Sequence, residues 1–189
     1  MKRKRKPRFK LSLGKRGYNI LLNIAKVAGV VSLIYGAGFG IFQYIESKKD
    51  KRVEQSFALF RQFNTAPFTE YRKNINNVVG DNSSDIVEAA SDEAKLTVAM
   101  VNIVQKGKIG TDLVLVMDFF DGVVYCAAKN ICDPNISGDL FYARGRELYT
   151  TFYQYIIARR SSFAGNDFGA GLETLVRIKS AREKTAEKK

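Results

Sequence analysis

Two cysteines, Cys126 and Cys132, stand six residues apart, and five carboxylates, Glu70, Glu88, Glu93, Asp118 and Asp121, adjoin apolar runs. These are the side chains whose types could do chemistry. A redox pair needs Cys-x-x-Cys at a helix start, where the thiolate is stabilised, and the observed spacing differs. Cys126 falls late in an apolar helix and Cys132 in the turn after it, so they read as one buried small residue and one turn residue. A structural disulfide is the alternative. Asp118 and Asp121 are three apart and share a helix face. Such a pair could ligate a metal or serve a membrane-tethered enzyme or ligand sensor, but the same spacing describes a solvated stripe.

Other chemistries are removed by composition. There is no His, which eliminates Ser-His-Asp and Cys-His catalysis and His-ligated metals. Two cysteines do not complete a four-coordinate zinc site. GDLFYARG lacks the Lys-Ser/Thr ending of a phosphate loop, and GAGFG lies inside an apolar run. The expectation is a protein that is not an enzyme, with no catalytic, metal or cofactor-binding residues and no cofactor.

Charge is concentrated at one end. Of a formal net charge of +12, ten positive charges lie in the first 26 residues, which contain no acid. The arm Lys2, Arg3, Lys4, Arg5, Lys6, Arg8 and Lys10 could grip nucleic acid, contact anionic lipid headgroups or set membrane orientation. It precedes the run VAGVVSLIYGAGFGIFQYI, Val27 to Ile45, which has no formal charge. As a helix that run spans about 28 Å, close to the hydrocarbon thickness of a bilayer. Lipid contact and orientation are therefore the favoured readings of the arm, each base near an anionic surface contributing about 1 kcal/mol. Nucleic acid is not expected as a partner. A buried core helix and a cleaved signal peptide are alternatives for the run. The signal peptide fits less well than an uncleaved anchor, because the apolar character continues past Gly36 and Gly38 through Phe39, Ile41, Phe42 and Ile45.

The elements that must position these residues read as all-α. A basic arm over 1–17 leads to a transmembrane helix over 18–46 and a helical stalk over 47–63, with Val53, Phe57 and Phe60 on one face. A small helical bundle covers 64–183, and 184–189 is a charged tail. Within the bundle Pro67 opens a short helix through Val79, and 80–84 is a loop. Asp85 to Gln105 is one segment, in which Val98 to Val104 could instead be a strand. Thr111-Asp112 caps a central core helix. Leu140 to Arg160 is a helix with Leu140, Phe141, Leu148, Phe152, Tyr155 and Ile156 inward. A last helix runs from Leu172 to about Glu183.

Three stretches together resemble a bacterial family of uncharacterised, single-pass membrane-anchored helical domains of unknown function. They are IFQYIESKKDKRVEQSFALFRQFN, NTAPFTEYRKNI and MDFFDGVVYCAAKNICDPNISGDLFYARGRELYTTFYQYI. The matching positions are Phe63, Asn64, Phe68 and Arg72, an FN-x-x-x-F-x-x-x-R helix start, then Phe119, Phe120, Cys132, Asp133, Phe141 and Tyr149. The likeness covers about residues 41–160. It implies a fold and an address in the bacterial inner membrane, and no reaction.

The resulting expectation is a membrane-anchored, non-catalytic interaction or scaffolding module with a protein partner that the residues do not name. Its N-terminus is placed in the cytoplasm, since nine Lys and Arg precede Gly17 against four in the first dozen residues after Ile45. Self-association is also expected. Ser32, Gly36 and Gly40 recur every four residues, and Gly36-x-x-x-Gly40 has the GxxxG spacing that lets helix backbones approach closely in lipid. Gly36→Ile with Gly40→Ile should abolish a membrane two-hybrid signal between two copies; an unchanged signal rejects pairing through this face.

Overall fold

The computed structural model describes residues 15–162 and 167–186, and every regular element among them is a helix. These are α1 (Lys15–Phe63), α2 (Phe68–Asp81), α3 (Ser83–Ala89), α4 (Glu93–Lys106), α5 (Gly110–Ala128), α6 (Pro134–Ser162) and α7 (Ala170–Ala186). The arm residues Lys2 to Lys10 lie outside the described residues, as do Gly165 and Asn166. The chain divides between Lys48 and Lys49 into two compact units.

The first unit is the long part of α1. Its described large apolar side chains, among them Leu33, Tyr35, Phe39, Ile41 and Phe42, are all exposed. A Cβ at Gly29, Gly36, Gly38 or Gly40 would meet nothing within 4 Å. Among the described residues no helix is long and apolar enough to cross a membrane. The side chains of 15–25, Val27, Val30 and Ile34 lie outside those residues.

The second unit is built around α5. Leu113, Val116, Met117, Phe120 and Val123 are all buried, which a sequence apolar nearly all round requires. Helices α2, α6 and α7 pack on α5, and α4 packs on α6. From α6 come Phe141, Phe152, Tyr155 and Ile156; from α4, Met100, Ile103 and Val104; from α7, Leu172 and Leu175. Gly145 lets α7 approach α6, since a Cβ there would lie 2.8 Å from Leu175 Cδ2 and 3.2 Å from Phe120 Cε1. The Arg160 guanidinium ties α6 to α7, its Nε donating to the Phe168 carbonyl (2.8 Å) and its Nη1 to Glu173 (3.0 Å).

The end of α1 belongs to this core. Phe63 is 2% exposed, its ring stacked 5.1 Å from Phe119 and edge-on to Phe120 (5.4 Å) and Phe141 (5.9 Å). The helical stretch 47–63 thus ends inside the core. The inward face differs too: Ser56 is fully buried, whereas Phe57 is 43% exposed. The polar turn that crosses α1 at Ser56 needs a small side chain, which displaces the phenylalanine outward.

Other expectations are corrected by local capping. The stretch 80–84 is not a loop: α2 continues to Asp81 and α3 starts at Ser83, with Asn82 Nδ2 donating to the Val78 carbonyl (2.7 Å). The segment Asp85 to Gln105 is two helices, because Asp92 accepts from the Ala94 and Lys95 amides and starts α4 afresh. Val98 to Val104 is helical. Thr111-Asp112 is not the cap of α5, which begins at Gly110; Asp112 instead accepts from Asn74 Nδ2 at 3.0 Å. Helix α6 starts six residues before Leu140. Asp133 Oδ1 accepts from the Asn135 and Ile136 amides, and Pro134 occupies the first helical position. Leu140 and Leu148, expected inward, are half-buried.

Truncating Phe63 removes a fully packed ring. Phe63→Ala should destabilise the full chain by about 3–5 kcal/mol, whereas Phe57→Ala should change stability by no more than about 0.5 kcal/mol. Urea titration followed by circular dichroism measures both, and equal losses would contradict this assignment of the inward face.

Candidate functional site

Helix α5 carries the two carboxylates singled out from spacing, and the fold separates their roles. Asp118 is exposed. Asp121 is half-buried against α7, where its Oδ1 accepts the Gly171 amide hydrogen at 2.6 Å. The two backbones nearly touch: a Cβ on Gly171 would lie 2.6 Å from Asp121 Cα and 2.7 Å from its N. Glycine is required there by space alone. Burial pushes the Asp121 carboxyl above its ordinary range; the Gly171 amide opposes this, Asp118 and Asp167 add to it, and Arg160 opposes it. No group of three or more metal-ligating side chains exists among the described residues. In this arrangement Asp121 is a clamp between α5 and α7.

The cysteines mark a second polar junction. Cys126 and Cys132 are joined by a disulfide, with Cα atoms 5.2 Å apart, inside the range a bridge can span. The chain reverses at Asn130, whose φ is 56°, and the Ile131 and Cys132 amides both donate to the Cys126 carbonyl (3.0 and 3.1 Å). The turn then seats on α1. The Asp133 amide donates to Ser56 Oγ (3.0 Å), and Ser56 Oγ lies 3.0 Å from Ser137 Oγ. Ser56 and Ser137 are the buried polar side chains of the described core, and each satisfies the other.

A third feature was not foreseen from spacing. A cavity of about 610 Å³ opens between α2 and α6 above α5. Phe63, Val116, Phe120 and Phe152 form its floor; Arg72 and Lys73 come from α2, Arg144 and Glu147 from α6. The Arg72 guanidinium lies 4.3 Å above the Phe63 ring, a cation–π contact. Its Nη2 donates to Asn64 Oδ1 at 3.3 Å, and its Nε is buried without a hydrogen-bond partner. Burial lowers the Arg72 pKa from its ordinary value, and the neighbouring charge of Arg144 lowers it further. Arg144 pairs with Glu147 at 3.3 Å, both more than 60% exposed, a geometry of little energetic weight.

Of Phe63, Asn64, Phe68 and Arg72, spaced as the FN-x-x-x-F-x-x-x-R start, Phe63 and Arg72 line this cavity; Asn64 accepts from Arg72 and the Phe68 ring lies 6.3 Å from that of Phe63. The partners across it, Arg144 to Phe152, are remote in sequence, and no local pattern signals them. Ser32, Gly36 and Gly40 lie in the first unit with open surroundings. The lipid-contact arm, Lys2 to Lys10, lies outside the described residues. Comparison of the chain with protein-family models, curated proteins and solved structures finds no match.

A carboxyl raised in the folded state holds its proton more tightly there than in the unfolded chain. Its contribution therefore favours folding at acid pH and fades as pH rises through the raised value. Asp121→Asn keeps an acceptor for the Gly171 amide and removes the buried charge. Melting temperatures of variant and parent should diverge in the variant's favour from acid to neutral pH; a difference constant with pH would show that Asp121 does not titrate differently on folding.

Proposed function

We propose that this chain is a single-pass membrane-anchored protein whose helical bundle is a non-catalytic interaction or scaffolding module. The observation that carries the anchor is the dressing of α1. Val31, Leu33, Tyr35, Phe39, Ile41, Phe42, Tyr44 and Ile45 are 45–76% exposed, on a stretch whose sequence has no formal charge from Val27 to Ile45. Contiguous apolar surface of that kind calls for lipid or a partner. Lys48 Nζ lies 4.6 Å from the Tyr44 ring centre, a pairing of cation and aromatic suited to a headgroup interface. The likeness to bacterial membrane-anchored helical domains points to the same address, the bacterial inner membrane.

A binding role is supported by how the carboxylates are used. Asp121 is engaged in holding α7, which leaves the Asp118 and Asp121 pair little freedom to act as an enzyme's or sensor's centre. Exposed Val87 and Val98 on α3 and α4, and Tyr153 and Ile157 on α6, offer apolar contacts to a protein partner. The N-terminus is assigned to the cytoplasm and the bundle to the other side. The excess of Lys and Arg before the apolar run favours this, and a Cys126–Cys132 disulfide is compatible with an oxidising compartment.

Alkaline carbonate should leave the full chain in the membrane pellet; its release to the supernatant contradicts the anchor. Alkaline phosphatase fused after Lys189 should be active and a cytosol-active fluorescent protein at the same place dark. The opposite pattern reverses the topology and leaves the anchor intact.

A further inference from the structure

The cleft between α2 and α6 has more charge than the fold uses. Arg72, Lys73 and Arg144 face a single carboxylate, Glu147, among its lining residues. Among the described residues Arg72 has no acidic partner: its hydrogen bond goes to the neutral Asn64 side chain and its guanidinium rests on Phe63. Burial first and the like charge of Arg144 second lower the Arg72 pKa, so the two guanidinium groups that line the cleft repel each other. That repulsion opposes folding and is offset only in part by the contact of Arg72 with Phe63. An oxyanion between them relieves the repulsion, and the guanidinium fork matches carboxylate and phosphate oxygens.

The rest of the cleft specifies what the anion is attached to. Below the cations lie Phe63, Val116, Phe120 and Phe152, with half-buried Val79 and Leu148 on the walls. A free inorganic ion would leave the half-buried walls at Val79 and Leu148 unused. The cavity, about 610 Å³, falls within the roughly 300–1,000 Å³ of small-molecule sites, which combine apolar lining with a few convergent polar groups. We propose that this cleft binds an amphipathic organic anion, Arg72 and Arg144 holding its carboxylate or phosphate head and the apolar walls at Val79 and Leu148 receiving its apolar body. Lys73 at the rim adds attraction for the head.

Calorimetric titration tests the assignment on the full chain, in phosphatidylcholine nanodiscs or, if it purifies free of lipid, in buffer. The site is therefore judged separately from the membrane anchor. Octanoate and octyl phosphate are the probes, with octan-1-ol and inorganic phosphate as the two halves of the ligand, and empty discs as blank. Saturable binding of either octyl anion, at least about tenfold tighter than both halves, is expected, and which of the two binds identifies the head. Arg144→Gln and Arg72→Met should each weaken it about tenfold or more, while Arg146→Gln, outside the cleft, leaves it unchanged. Arg144 is 62% exposed, so its variant reads binding without loss of fold. Octanol binding as tightly as the anions, inorganic phosphate binding as tightly, no saturable binding, or insensitivity to Arg144→Gln each overturns the proposal.

Discussion

Burial of the Phe63 ring is the constraint on which the rest of the second unit depends. It sits at the last residue of α1, where the chain must leave the helix, and it is enclosed by rings from α2, α5 and α6. The exit is stabilised locally, with Asn64 Nδ2 donating to the Phe60 carbonyl and Thr65 Oγ1 to that of Gln62. Such side-chain bonds satisfy carbonyls that a helix end leaves open. Aromatic packing then determines where α2 begins, since Phe68 must lie 4.8 Å from Phe119. The last turn of α1 is thereby fixed within the second unit by packed side chains.

The same ring is the floor on which Arg72 lies, so one residue serves both the core and the cleft. A cation stacked on an aromatic face is held at a set height, with its polar edges free to point outward. Helices α2 and α6 both rest on α5, and their separation leaves room above Phe120 and Val116. Burial and binding thus share atoms. The cleft is a by-product of three helices packing on one, furnished with charge by residues that the packing does not need.

Part of this was readable in the residues. The apolar run 113–124 announces a central helix because nothing polar interrupts its inner face, and Phe141, Phe152 and Ile156 follow helical spacing into the core. What escaped reading had physical reasons. The residues point to a start of helix α6 only at Leu140, because Ser137 and Gly138 are weak helix formers, yet Asp133 and Pro134 supply a helix start strong enough to carry them. Asp92 is one carboxylate in a polar stretch, and only its bonds to two amides distinguish a cap from a solvated acid. Ser56 ranks below Phe57 for burial by hydrophobicity, but a close polar contact between backbones selects the smaller side chain. The cleft was illegible altogether, since Arg72 and Arg144 are brought near each other by α5 and not by any spacing along the chain.

The bridge between Cys126 and Cys132 has a consequence best stated in polymer terms. It spans a sequence separation of 6, and closing so short a loop removes little freedom from the unfolded chain, about 2 kcal/mol against nearly 5 for a loop of a hundred residues. The residues it links would be neighbours through the turn alone. The cross-link therefore does not dictate which helices meet; its effect is confined to the stiffness of one reversal, the one whose next residue, Asp133, docks on Ser56. Topology is left to noncovalent packing, and the thiol chemistry governs only how firmly a single corner of the bundle is held.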